Sequence, residues 1–167
     1  ATTPSYDLET EINSKKSIDH ITEKLILKTT EDFKGKTIQT PPIYSAIKHK
    51  GKKLYEFARK GETVKIKERE IFISEFLITK KQLPELDFLV NCSKGTYIRS
   101  LANDFGKKLE CGAYLSKLTR TAIGDHLLEN SISIEYLSRL NERYEAWIQT
   151  YDKGKLVIID VDNIDFV

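Results

Sequence analysis

The stretch Cys92-Ser93-Lys94-Gly95-Thr96-Tyr97-Ile98-Arg99-Ser100-Leu101 sets a glycine turn, an aromatic ring and an arginine at the junction of a strand and a helix. On its upstream side, Leu86, Phe88, Val90 and Cys92 fall on one face, the period-two pattern of a half-buried strand. Downstream, Ile98, Leu101, Ala102, Phe105 and Leu109 recur at helical spacing, so the strand feeds an amphipathic helix. Lys94, Gly95 and Thr96 therefore stand at a helix start, where unpaired N–H groups and the helix dipole favour an anion such as a phosphate. The plainer alternative is a Gly-Thr turn capping an ordinary helix, with Arg99 on its surface.

Working outward, Ser17 followed by Ile18, Ile21 and Leu25 reads as a capped helix running toward Phe33 and closed by Gly35. The polar residues 1–16 before it read as extended. A short strand at Thr37–Gln39 precedes Pro41-Pro42, which rules out a helix there and favours an extended lead into Ile43-Tyr44-Ser45-Ala46-Ile47. His49-Lys50-Gly51 is a turn, and Leu54 to Lys60 a short helix stopped by Gly61. A β-rich segment spans roughly Lys65 to Thr79. Beyond Gly112, Ala113 to Ile123 reads as a bent strand, Ser133 caps a last helix containing Tyr136, Leu137 and Leu140, and Leu156 to Val161 is strand-forming. Strands and helices interleave without strict alternation, which indicates an α+β fold rather than a doubly wound sheet.

Composition narrows the function. The 167 residues are 40% hydrophobic, enough for one domain with a core, and the net charge of +2 hides an asymmetry. Residues 48–69 hold nine Lys/Arg against three Glu, whereas residues 125–167 hold nine Asp/Glu against four Lys/Arg. A local excess of this size suits a polyanion, although a solvated charge run produces the same composition. Cys92 and Cys111 are too far apart to form a metal pair, and the three histidines have no ligand spacing. No metal site, cofactor or phosphate loop is expected. Two scattered thiols and the lack of a bilayer-length apolar run or a leader-like N-terminus point to a cytoplasmic protein.

Four segments agree in order and spacing: Pro41-Pro42-Ile43-Tyr44-Ser45-Ala46-Ile47-Lys48, Gly51 to Gly61, Ser93 to Arg99, and Gly112-Ala113-Tyr114-Leu115-Ser116-Lys117-Leu118-Thr119-Arg120. Together they closely resemble the bacterial TruB-type tRNA pseudouridine synthases over roughly residues 1–140. The related archaeal and eukaryotic enzymes of guide-RNA particles share the Gly-Thr-Tyr-Ile-Arg core, but the Lys before that Gly and the Gly-Lys-Lys-Leu-Tyr-Glu segment look bacterial. The resemblance implies an α+β fold with a mixed, largely antiparallel sheet flanked by helices. It implies conversion of uridine 55 in the T-arm loop of tRNA to pseudouridine, with no metal or cofactor, by a monomer whose partner is the T-arm stem-loop.

Carried over by position, Arg99 would be the fixed charge partner of the family's catalytic aspartate. Tyr97 would lie against the flipped base and Leu118 would form its apolar wall. For Leu118 the plain alternative is core packing; for Tyr97 it is a rim aromatic. Tyr44, Lys48, Lys52, Lys53, Arg59, Arg69, Lys94 and Thr96 would meet the RNA, with Tyr55 and Phe57 read as packing residues more than stacking ones. The family's catalytic aspartate belongs to a Gly-x-Leu-Asp-Pro-type segment, and none occurs here; Asp7 matches a family position without a catalytic role. Asp104 follows Arg99 by five positions, about 140° around a helix, and does not share its face. Because the sequence also lacks Met and starts at a point that matches the region after that segment, residues 1–140 are expected to be the C-terminal part of the catalytic domain, incomplete at its N-terminal side. Residues 141–167 form an acidic extension, and the chain alone is expected to be inactive. A noncatalytic RNA-binding or tRNA-folding module is the alternative from another class.

Overall fold

Thr22, not Ser17, starts the first helix of the computed structural model, which describes residues 1–152 and Gly154. Thr22 Oγ1 accepts from the Leu25 N–H, whereas the Ser17 hydroxyl is spent on Asp19. Helix α1 (Glu23–Asp32) is therefore one turn shorter than its apolar spacing indicates. Both residues are good caps, and long-range packing decides between them: Ile21 is buried in the core just ahead of the helix. Residues 1–16 are not simply extended either. Thr2 bridges Ser14, closing a loop in which Tyr6 takes the left-handed conformation at φ 66°.

Strand β1 (Gly35–Gln39) pairs antiparallel with the long β4 (Arg69–Gln82), which pairs antiparallel with β5 (Glu85–Cys92) in the order β1-β4-β5. Between them lie a two-rung hairpin, β2 (Lys48–His49) with β3 (Lys52–Lys53), and helix α2 (Leu54–Arg59). The hairpin turns over Lys50 and Gly51, both at positive φ as a tight two-residue turn requires. Helix α2 stops at Gly61, φ 70°, as its glycine signal predicts. In β5 only Leu86, Phe88, Val90 and Cys92 turn inward, the alternation read from the sequence.

Helix α3 (Ile98–Lys108) lays Leu101 and Phe105 against the inner sheet face. There Ile71, Ile73 and Phe76 form the core with Ile26 of α1. Phe76 sits at its centre, 5.3 Å from the Phe105 ring and 5.4 Å from that of Phe88. Helices and antiparallel strands thus form the expected α+β architecture.

The bent strand read at Ala113–Ile123 does not form. Leu115 alone bridges Asp7, in parallel, and the two-residue β6 (Ala122–Ile123) pairs with β7 (His126–Leu127). Strand propensity is realised only where a partner edge is present, and residues 116–121 have none among the described residues. Residues up to Leu118 form one compact unit and those from Thr119 a second. The second carries α4 (Ile134–Thr150), capped by Ser133 as its sequence indicates. The strand-forming run Leu156 to Val161 lies outside the described residues. No helix among the described residues is long and apolar enough to cross a membrane.

Candidate active site

The turn Ser93–Tyr97 is pinned to the sheet before it hands the chain to α3. Ser93 exchanges two bonds with Phe72 of β4, donating its N–H to the carbonyl at 2.8 Å and accepting the Phe72 N–H on Oγ at 2.9 Å. Gly95 stands at φ 82°, which only glycine adopts readily, and lets the chain turn back within three residues. Thr96 closes the turn by donating its hydroxyl to the Ser93 carbonyl, so its side chain is a structural tie. Tyr97 occupies the N-cap position of α3 but offers no side-chain cap; the side chain of Gln39 from β1 caps the helix instead, accepting the Tyr97 N–H at 2.8 Å. That donor is therefore not free for an anion.

In the first turn of α3, Arg99 is three-quarters buried and held from two sides. Its Nη1 donates to Asp7 Oδ2 at 2.7 Å and its Nη2 to the Tyr44 carbonyl at 2.9 Å. Asp7 is the partner the sequence did not reveal. The other carboxylate oxygen accepts the Ser5 hydroxyl at 2.6 Å and the Glu9 N–H at 3.0 Å. Burial pushes the Asp7 carboxyl up, but Ser5, the Glu9 N–H and the Arg99 guanidinium together outweigh it and hold the pKa below the ordinary carboxylate value. Ser5 is itself fully buried and shares its hydroxyl with Thr10 at 2.8 Å, so the carboxylate orientation is fixed by packed neighbours. The left-handed Tyr6 gives its carbonyl to the Leu115 N–H at 2.9 Å, tying the Asp7 loop to the Leu115–Leu118 segment.

These pieces enclose an open cleft of about 510 Å³ lined by Asp7, Leu8, Glu9, Arg99 and Leu115 to Leu118. Leu118 is 55% exposed and points its apolar surface into this space instead of a core. Arg99 and Leu118 are thus brought together, while Tyr97 lies outside that lining, its ring under the Arg69 guanidinium at 5.6 Å. Tyr44 contributes its backbone carbonyl to the site.

The predicted basic residues divide. Lys48, Lys52, Lys53 and Arg59 are exposed on and around the β2–β3 hairpin, and Lys94 is exposed on the turn. Lys53 and Arg59 both approach the Tyr55 ring, at 5.6 and 5.2 Å, and Phe57 packs edge-on against His49. Tyr55 and Phe57 are both half-buried. Arg69 is directed to the protein, with Nη1 3.4 Å from the Gly95 carbonyl. Cys92 and Cys111 are free thiols, and no cluster of ligating side chains occurs among the described residues.

Asp7, Ser5 and Gln39 were missed from the sequence as site residues. Asp7 and Arg99 are 92 positions apart, and Gln39 and Tyr97 are 58 apart, so no local period links them. The one available signal was Gln39, two residues ahead of Pro41-Pro42 at the end of a strand, a polar residue at a position the β1 alternation turns inward.

Residues 1–98 match the model of the TruB family pseudouridylate synthase (N terminal domain). A tRNA pseudouridine synthase B of Flavobacterium johnsoniae is 56% identical over 134 residues, covering 80% of this chain and 58% of that protein. The protein of the same name from Phocaeicola vulgatus is 47% identical over 135 residues, 81% of this chain and 57% of the relative. One from Clostridium tetani is 45% identical over 139 residues, 83% and 48%. The chain spans about half to three fifths of the length of these relatives.

Proposed function

The chain belongs to the TruB family of pseudouridylate synthases, and from that premise we propose that it supplies the arginine side of an active site isomerising uridine 55 in the T-arm loop of tRNA to pseudouridine. Residues 1–140 are read as the C-terminal part of the catalytic domain. The observation that carries the reading is the immobilised Arg99 guanidinium facing the exposed Leu118 across an open cleft. Two of its five N–H donors are taken by Asp7 and Tyr44, which leaves three for a second carboxylate or a substrate oxygen.

The chemistry explains why such a cleft is wanted. The bond between N1 and C1′ breaks, the uracil turns, C5 bonds to C1′, and the proton lost from C5 is balanced by the one gained at N1. A detached base needs an apolar wall and a fixed charge nearby, because flipping it costs stacking energy that the pocket must return. Asp7 is a poor candidate for the reacting carboxylate: both its oxygens are engaged and its low pKa makes it a weak base. The reacting aspartate is therefore assigned to a Gly-x-Leu-Asp segment of the family outside these 167 residues. The RNA is read as lying along Lys48, Lys52, Lys53, Arg59 and Lys94, in a soluble cytoplasmic monomer that needs no cofactor.

Tritium release from a T-arm stem-loop labelled at uridine C5 tests the assignment. The chain alone should release none, and the chain joined to the upstream part of the Flavobacterium relative should release it in an Arg99-dependent way. Release by the 167-residue chain alone would show that the reacting carboxylate is misassigned. Binding without release from the joined protein would favour the noncatalytic RNA-binding module.

A further inference from the structure

Gln39 and Arg69 face each other directly across the β1–β4 ladder, and both reach for the same turn. Gln39 is 3% exposed, and its amide uses both ends on one residue: Oε1 accepts the Tyr97 N–H at 2.8 Å and Nε2 donates to the Tyr97 carbonyl at 3.1 Å. A side-chain amide satisfied in this way copies a strand partner and fixes the backbone at the head of α3. Arg69 acts one step further out. Its guanidinium lies 5.6 Å over the Tyr97 ring and offers a long bond of 3.4 Å to the Gly95 carbonyl. What requires glycine at position 95 is its φ of 82°, since a Cβ there would meet Arg69 Nη1 only at an ordinary contact distance of 3.4 Å.

We propose that the Gln39–Arg69 rung is the positioning device of the site, Gln39 setting the Tyr97 backbone and Arg69 the plane of its ring, and that Arg69 is not a phosphate contact. The inference deepens the enzymatic reading and rests on it for its kinetic consequence alone. A ring covered on one face by a cation presents only its other face to a base. The same rung sets the first turn of α3, from which Arg99 departs two residues later. An isolated Tyr97 would lose stacking area to rotation, whereas a ring pinned by Arg69 is already oriented when the base arrives.

Two measurements test it, one of them independent of catalysis. In the 167-residue chain, amide hydrogen exchange followed by NMR should show the Tyr97 N–H protected, and Gln39→Ala should speed its exchange roughly tenfold, the effect of losing one to two net hydrogen bonds. The β4–β5 amides should keep their protection as the folding control. Unchanged Tyr97 exchange in Gln39→Ala would overturn the clamp. In the chain joined to the upstream part of a relative, Arg69→Gln should lower kcat about tenfold with KM within twofold and with the slope of log K against log salt unaltered. A slope shallower by roughly 0.7–0.9 at unchanged kcat would make Arg69 a phosphate contact and overturn its role. If the exchange result holds and the joined protein never turns over uridine, the clamp stands and the enzymatic reading falls.

Discussion

Removing Asp7 leaves Arg99 facing the cleft with one fixed partner in place of two, and the cost can be bounded from the geometry. The two side chains are 23% and 18% exposed, far from the surface regime where an ion pair contributes about 0–1 kcal/mol and short of full burial, where stranding one partner costs about 3–5 kcal/mol. The short Arg99–Asp7 bond is charge-assisted, which is worth about 1.5–3 kcal/mol, and the Tyr44 carbonyl still holds the guanidinium afterwards. Asp7→Ala should therefore destabilise the chain by about 2–3 kcal/mol. A double-mutant cycle with Arg99→Ala, read by urea unfolding, should give a coupling of about 1–3 kcal/mol. The exposed pair Lys36–Glu70, 3.5 Å apart with side chains 75% and 61% exposed, is the internal comparison and should couple by less than about 1 kcal/mol. Equal couplings for the two pairs would refute the reasoning, because solvent would then be screening Arg99–Asp7 as it screens a surface contact.

Since the folded-state pKa of Asp7 lies below its ordinary value of 3.8, its contribution is complete above that value and disappears as pH falls through the folded one. The stability difference between the unmodified chain and Asp7→Asn should accordingly be flat from pH 8 to about 5 and shrink below about 4 in pH-dependent urea titrations. Gly106→Ala should destabilise by about 2 kcal/mol or more in thermal unfolding despite a better helix former, because the new Cβ would stand 2.1 Å from the Ala113 backbone nitrogen, which cannot swing away like a side chain. Neutralising Lys48, Lys52, Lys53 or Arg59 singly should weaken T-arm binding about equally for different loop sequences and shallow the salt slope by roughly 0.7–0.9 per contact in filter binding. Four unchanged slopes would move the RNA footprint elsewhere.

Elements governed by neighbours in sequence were readable in advance. Lys50-Gly51 and Gly61 carry backbone conformations that glycine signals, Ser133 caps its own helix, and the inward residues of β5 alternate as written. Where two local signals of equal quality compete, the sequence does not decide: Ser17 and Thr22 are both sound caps, and the burial of Ile21 favours the later one. The run Ala113–Ile123 fails for a related reason. Its β-formers state a preference, but a strand requires an edge, and only Leu115 meets one.

The site follows the same division at longer range. Arg99, Tyr97 and Leu118 are singled out only by their place in motifs that resemble the family's, yet what each one touches is set by segments remote in the chain. Asp7 is ordinary in a polar loop, and it becomes a partner only because the left-handed Tyr6 and the buried Ser5 turn its carboxylate toward α3. Arg69 shows the converse, a cation whose place in a basic run reads as phosphate-binding and whose guanidinium is turned onto Tyr97 and the Gly95 carbonyl. A positive charge in a sequence specifies an attraction without its object. The register of β1 on β4 supplies the object here, because it sets Arg69 beside Gln39 at the end of the sheet that the Ser93–Tyr97 turn crosses. Moving that register by one residue would send Gln39 to the solvent face and leave the first N–H of α3 without its cap.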